Sequence, residues 1–195
     1  MLRAFVAIII PPEIKKAIAS QTASLQKVTG HAVRWVPADN IHLTLKFLGD
    51  ISPSSVELLS QALVAECSQH TPFELVVGGL GCFPNPRRPS VIWIGLDAPT
   101  CLGQLQHRIE STCAYLGYDP EEKSFSPHLT IGRVREQAGS TEIRHIQVAL
   151  ESKNIGTLGS FTVGDIHLFK SDLQPSGPIY TSLYSAGLGG GQPIK

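Results

Sequence analysis

An excess of charge of either sign is missing from this 195-residue chain, in which sixteen basic and sixteen acidic side chains cancel. Without a global positive field, the protein is not built to hold long nucleic acid through many simultaneous phosphate contacts. A small phosphate-bearing ligand or a nucleic-acid end needs only a few local donors and stays within reach. Cysteine is scarce: Cys67, Cys82, Cys101 and Cys113 are scattered, with no C-x-x-C pair and no histidine-rich spacing beside them. That argues against a zinc knuckle and a disulfide framework, and for reduced, mostly buried thiols of an intracellular protein. A long apolar run is absent too. The opening MLRAFVAIII stops at Pro11-Pro12, too short to span a bilayer and without a small-residue cleavage site. It reads as a buried first strand, and a cytoplasmic protein with no membrane contact is expected.

What is present is a mixture of strand and helix patterns without a strict βαβ rhythm, which favours an α+β fold. Strands are expected at 2–10, near Val33–Val36, at Ile41–Leu48, Phe73–Leu80, Ser90–Leu96, His128–Val134, Phe161–Phe169 and Ile179–Leu183. Helices are expected at Glu13 to about Val28, from Ser52-Pro53 to about Gln69, over Thr100–Leu116 and near Thr141–Ala149. No low-complexity linker divides the chain. One bilobal domain over residues 1–186 is expected, followed by a flexible glycine-rich tail at 187–195.

The chemistry sits in a phrase that occurs twice. Residues 41–47 read Ile-His-Leu-Thr-Leu-Lys-Phe and residues 127–133 read Pro-His-Leu-Thr-Ile-Gly-Arg. Successive strand side chains point to opposite faces, so His42 and Thr44 share one face while Leu43, Leu45 and Phe47 share the other. His128 and Thr130 pair in the same way. Each strand then buries its leucine and displays one imidazole beside one hydroxyl.

A third fragment, Ile166-His167-Leu168, lacks the threonine and supplies a control, so His167 reads as structural. His31, His70, His107 and His145 have no recurring neighbours and read as surface residues.

Two imidazoles can divide the work of base and acid near neutral pH, and two hydroxyls can donate to the non-bridging oxygens of a phosphate. A phosphodiester needs in-line attack by an activated oxygen and protonation of the leaving oxygen opposite. One histidine on each side meets that demand without metal. A metal site is disfavoured because no Asp, Glu or Cys lies in either phrase. No G-x-S-x-G elbow supports a serine nucleophile, and GGLG at 78–81 lacks the lysine and hydroxyl of a phosphate-binding loop.

Arg133 is the best cationic candidate, yet strict alternation places it opposite His128 unless the strand bulges near Gly132. Lys46 has the parity of the site face but reads as a solvated charge. Arg87 and Arg88 lie in a Pro-rich loop that is either solvated or touches a nucleic-acid backbone.

The paired H-x-T-x motifs, His42-Leu-Thr-Leu45 and His128-Leu-Thr-Ile131, resemble the signature of the two-histidine (2H) phosphoesterases. More narrowly, the chain resembles the RNA 2′,3′-cyclic phosphodiesterases once called 2′-5′ RNA ligases. The likeness extends through FVAIIIPPEI, RWVPADNIHLTLKFLGD, GLGCFPNPRRPSVIW, FSPHLTIGRV and GSFTVGDIHLFKSDLQPSGPIYTSL.

The resemblance implies two pseudo-symmetric lobes, with antiparallel sheets flanked by helices around a central cleft. It implies hydrolysis of 2′,3′-cyclic phosphate ends of RNA or nucleotides to 2′-phosphates, with no metal or other cofactor. By the same resemblance His42 is the proton donor and His128 the proton acceptor. Thr44, Thr130 and Arg133 hold the phosphate. A monomer is expected. Joining of tRNA halves through a 2′-5′ bond, and RNA-end binding without turnover, are the rival readings.

Overall fold

The computed structural model describes residues 1–175 and 177–190. Nine strands and four helices are described in it: β1 (Leu2–Ile9), α1 (Pro12–Thr29), β2 (Val33–Trp35), β3 (His42–Ile51), α2 (Ser55–Cys67), β4 (Phe73–Phe83) and β5 (Val91–Asp97), then α3 (Thr100–Tyr115), β6 (His128–Val134), α4 (Ser140–Ser152), β7 (Thr157–Val163), β8 (Asp165–Gln174) and β9 (Gly177–Gly187).

The strands form two sheets, ordered β3-β1-β8-β9 and β2-β6-β5-β4-β7, with every pairing antiparallel. The apolar run Ala4–Ile8 is buried along its whole length because β1 is central, flanked by β3 and β8. Pro12 sits in the first turn of α1, where its missing N–H costs nothing. Ile14, Ile18 and Leu25 then supply that helix's buried stripe.

The architecture is the expected bilobal α+β fold, and its pseudo-symmetry is explicit in the topology. In one lobe the chain runs β1-α1-β3-α2, and in the other β5-α3-β6-α4. The sheet orders correspond, with β3-β1 matching β6-β5. The connection from α1 to β3 adds β2, which crosses over to pair with β6 of the other lobe. Buried side chains from both lobes, among them Leu43, Leu129, Ile94 and Ile166, belong to one continuous core.

One expected strand is corrected. Phe161–Phe169 is not continuous; it breaks at Gly164, and β7 joins one sheet while β8 joins the other. Val163 is buried before the break and Ile166 and Leu168 after it, so the inward-facing positions switch from odd to even. β9 also runs beyond the expected Leu183, to Gly187. Within the segment expected as a tail, Leu188–Gly190 form a helical turn with Leu188 buried and its N–H donated to the Gly164 carbonyl. Residues 191–195 of that tail lie outside the described residues.

Of the cysteines, Cys67, Cys82 and Cys113 are buried, Cys101 is partly so, and all four thiols are free. Burial pushes the Cys67 thiol up to about 12 and the Cys113 thiol up to about 11, which leaves both protonated and inert. No helix among the described residues is long and apolar enough to cross a membrane.

Candidate active site

The two repeated phrases open β3 and β6, which pack beside each other without pairing, and a cleft of about 390 Å³ lies between them. His42, Thr44, His128, Thr130 and Arg133 all line that cleft. Behind them Leu43 and Leu129 are buried, as the alternation requires. Burying a leucine is worth about 1.5–3 kcal/mol, enough to fix which face of each strand meets the core.

The two histidines are held identically. His42 Nδ1–H donates to the Asn40 carbonyl at 2.7 Å, and His128 Nδ1–H donates to the Ser126 carbonyl at 2.7 Å. A carbonyl oxygen only accepts, so each ring keeps its hydrogen on Nδ1 and leaves Nε2 to exchange a proton. Aromatic rings steady both. Phe5 lies 4.8 Å from the His42 ring and Tyr180 meets it edge-on at 5.2 Å; Phe83 meets His128 edge-on at 5.0 Å.

Burial lowers the His42 pKa from the usual imidazole value, the Asn40 hydrogen bond opposes this, and the Lys15 charge adds to it. The free cleft therefore favours neutral His42.

Both strands carry a bulge at the same point of the phrase. In β3 the register passes from Lys46 to Thr44 while β1 advances one residue, leaving Leu45 extra. In β6 it passes from Gly132 to Thr130 while β5 advances one residue, leaving Ile131 extra. A bulge reverses the alternation beyond it. Arg133 is thereby turned to the side of His128, which meets the condition the sequence set for it. Gly132 is required there, because a Cβ would sit 2.8 Å from Val33 Cγ1 and 3.3 Å from the Trp35 ring.

The same geometry corrects two expectations in β3. Lys46 borders the cleft but is not a solvated charge. It is 1% exposed, its ammonium 2.7 Å from Glu110 Oε1 and also bonded to the Asp119 carbonyl. Phe47, expected on the core side, is 56% exposed and lines the cleft at the position matching Arg133.

Sequence reasoning also missed Arg34. It stands directly opposite Arg133 in the β2–β6 ladder, so the two guanidinium-bearing side chains leave the sheet on one face. With Arg3 they bear on Tyr180, whose hydroxyl is raised by burial and lowered by these three charges. Of the three, Arg133 lines the cleft beside the histidines. Arg87 and Arg88 do not line the cleft, and their backbone N–H groups donate to Asn85 Oδ1.

His167 sits on β8 with Nε2 3.2 Å from Asp165 Oδ2 and Nδ1 3.3 Å from Ser182 Oγ, away from the cleft. His31, His107 and His145 are exposed and His70 partly so. Among the described residues, no cluster of three or more His, Cys, Asp or Glu side chains is suited to a metal ion.

A family model described as the 2′-5′ RNA ligase superfamily matches residues 10–175. The chain belongs to the 2′-5′ RNA ligase superfamily. Its relatives in that superfamily include an RNA 2′,3′-cyclic phosphodiesterase of Archaeoglobus fulgidus, 32% identical over 93% of this chain and 98% of its own length. Another, from Thermotoga maritima and of the same name, is 30% identical over 97% of each chain. Among solved structures, Escherichia coli LigT complexed with 3′-AMP superposes with a TM-score of 0.74 at 27% identity, covering 96% of this chain and 98% of that one.

Proposed function

We propose that the protein hydrolyses 2′,3′-cyclic phosphate ends of RNA and nucleotides to 2′-phosphomonoesters. The observation that carries this reading is the duplicated imidazole. Two rings lie in one cleft, each with Nδ1 tied to the carbonyl two residues back and each with a threonine hydroxyl two residues on. The names of the relatives support the substrate class, and the 3′-AMP held by LigT supports a cleft of nucleotide size.

In the proposed reaction His128 Nε2 takes a proton from water as the water oxygen bonds to phosphorus. The bond from phosphorus to O3′ breaks, and O3′ takes the proton carried by His42 Nε2. Thr44, Thr130 and Arg133 donate to the non-bridging oxygens as charge gathers on them, and this preorganised stabilisation carries much of the rate. The assignment of acid to His42 and base to His128 follows the family resemblance, and the step needs no metal or other cofactor. A cytoplasmic monomer acting on broken RNA, tRNA halves included, is the setting this chemistry suits.

Incubation with a 2′,3′-cyclic mononucleotide in the presence of a chelator, followed by identification of the product, tests the reading. A 2′-phosphate is expected. A 3′-phosphate overturns the acid and base assignment, and loss of activity that zinc restores overturns the metal-free mechanism. His42→Ala and His128→Ala are each expected to lower turnover about 10²–10⁴-fold, the worth of a positioned acid or base. Binding without product from the unmodified protein leaves only an RNA-end binding module.

A further inference from the structure

His42, Asn40 and Tyr180 form a wall common to two cavities. One is the catalytic cleft. The other, of about 290 Å³, continues past the same wall and is lined by Ile9, Lys15, Asp39, Phe169 and Ile179 among others. Its volume is near the lower end of ligand pockets, which run from about 300 Å³ upward.

Its chemistry is unusual for plain surface. Ile9 and Ile179 stay 43% and 48% exposed at its rim, and the ring of Phe169 lies stacked on Phe5 at 5.3 Å and 17°. That ring is thus held as a fixed, partly buried platform. Beside it Lys15 gives one hydrogen to the Asp39 carbonyl at 2.8 Å, and no carboxylate is within ion-pair distance of its ammonium among the described residues. Two of its three hydrogens remain for an anion. An aromatic platform beside an unpaired cation is the combination that holds single-stranded nucleic acid.

The position of this cavity fixes what can occupy it. In the proposed reaction His42 protonates O3′, so the ribose of the terminal nucleotide lies against His42. The chain leaves that ribose through its 5′ oxygen, and the second cavity borders the same imidazole.

We propose that this cavity is the subsite for the nucleotide on the 5′ side of the cyclic phosphate. Lys15 takes the phosphodiester linking the two nucleotides, and the penultimate base packs on Phe169 between Ile9 and Ile179. The exposed Asp39 carboxylate accepts hydrogen bonds only, which suits an amino-bearing base edge and not the phosphate. The protein is thus an RNA-end enzyme that reads two nucleotides, a conclusion that rests on the cyclic phosphodiesterase reading.

The test compares kcat/KM for a mononucleotide 2′,3′-cyclic phosphate with that for a dinucleotide ending in the same group. The dinucleotide is expected to be preferred about tenfold, within the range measured for one stacked base. Lys15→Gln and Ile179→Asp should each bring the ratio toward one, while Ile179→Asp leaves mononucleotide turnover unchanged. Taking the ratio removes any effect of Lys15 on His42 itself. A ratio of one in the unmodified protein, or a ratio unmoved by either substitution, overturns the second subsite while leaving the phosphodiesterase reading intact. Turnover of neither substrate overturns the reading beneath it and this inference together.

Discussion

Arg34 and Arg133 stand directly opposite each other in the β2–β6 ladder, two like charges on one face of a sheet. Like charges placed directly opposite destabilise a sheet, so folding stability does not account for the arrangement. An anion held beside them turns the repulsion into binding. Arg34→Ala is therefore expected to raise the thermal midpoint slightly in the absence of ligand and to raise KM for a cyclic phosphate several-fold. Stability and affinity moving in the same direction would sink this account; paired melting and kinetic measurements decide it.

The histidines, threonines and buried leucines were legible in the sequence because they precede the bulges, where strict alternation holds. Beyond Leu45 and Ile131 the alternation reverses, and reading by parity alone put Phe47 on the wrong face and left the buried Lys46 in solvent. A bulge is a property of two paired strands, so one strand's sequence carries only a hint of it, here the Gly132 that Val33 and Trp35 crowd. Arg34 was hidden for the same reason: its significance is its partner across the ladder. The break at Gly164 left a trace in the switch of apolar positions from 163 to 166 and 168, but the departure to another sheet is a matter of topology. The lobe correspondence was half visible, since the repeated phrase marks β3 and β6 while the surrounding strands share no residues that announce it.

Phe47 presents an aromatic ring at the cleft where the other lobe presents Arg133. An exposed ring at a phosphate site is suited to the base of the bound nucleotide, and a base stacked on a protein ring is worth about 1–3 kcal/mol. Phe47→Ala is expected to raise KM about tenfold for a nucleoside 2′,3′-cyclic phosphate and to leave kcat within about twofold. A ribose 2′,3′-cyclic phosphate lacking a base should show no such penalty. Equal losses on both substrates would assign Phe47 to shaping the strand and not to the base.

Lys46 and Glu110 form a buried ion pair that ties β3 to α3, and Glu110 Oε1 also accepts the Glu121 N–H at 2.9 Å. The pair thus anchors the loop that leads through Lys123 and Ser126 to His128. Removing one partner leaves a buried charge uncompensated, at a cost of about 3–5 kcal/mol. Lys46→Met should lower the unfolding free energy extrapolated from urea titration by that amount. Lys46→Met with Glu110→Leu should recover most of the loss, because an apolar pair of similar volume leaves no charge stranded. A double variant as unstable as the single one would place the cost in packing and not in charge.

The lowered pKa of His42 sets the pH dependence of the free protein. As the proposed acid, His42 must carry a proton, so kcat/KM falls as pH rises through its pKa. Burial, and to a lesser extent Lys15, place that pKa below the usual imidazole value of 6.5, so the descending limb for the free protein is expected below pH 6.5. A bound phosphate anion favours the charged ring, so the same limb in kcat should lie at higher pH. Lys15→Gln removes one cationic neighbour and should move the kcat/KM limb upward. The same shift affects stability in the opposite sense: unfolded His42 binds protons more readily, so folding stability contributed by this residue is lost as pH falls through the unfolded value. Profiles of kcat and kcat/KM on one substrate, with a urea titration at each pH, separate these effects. A descending limb that stays in place in Lys15→Gln, or one that belongs to His128 by substitution, would reverse the assignment of acid and base.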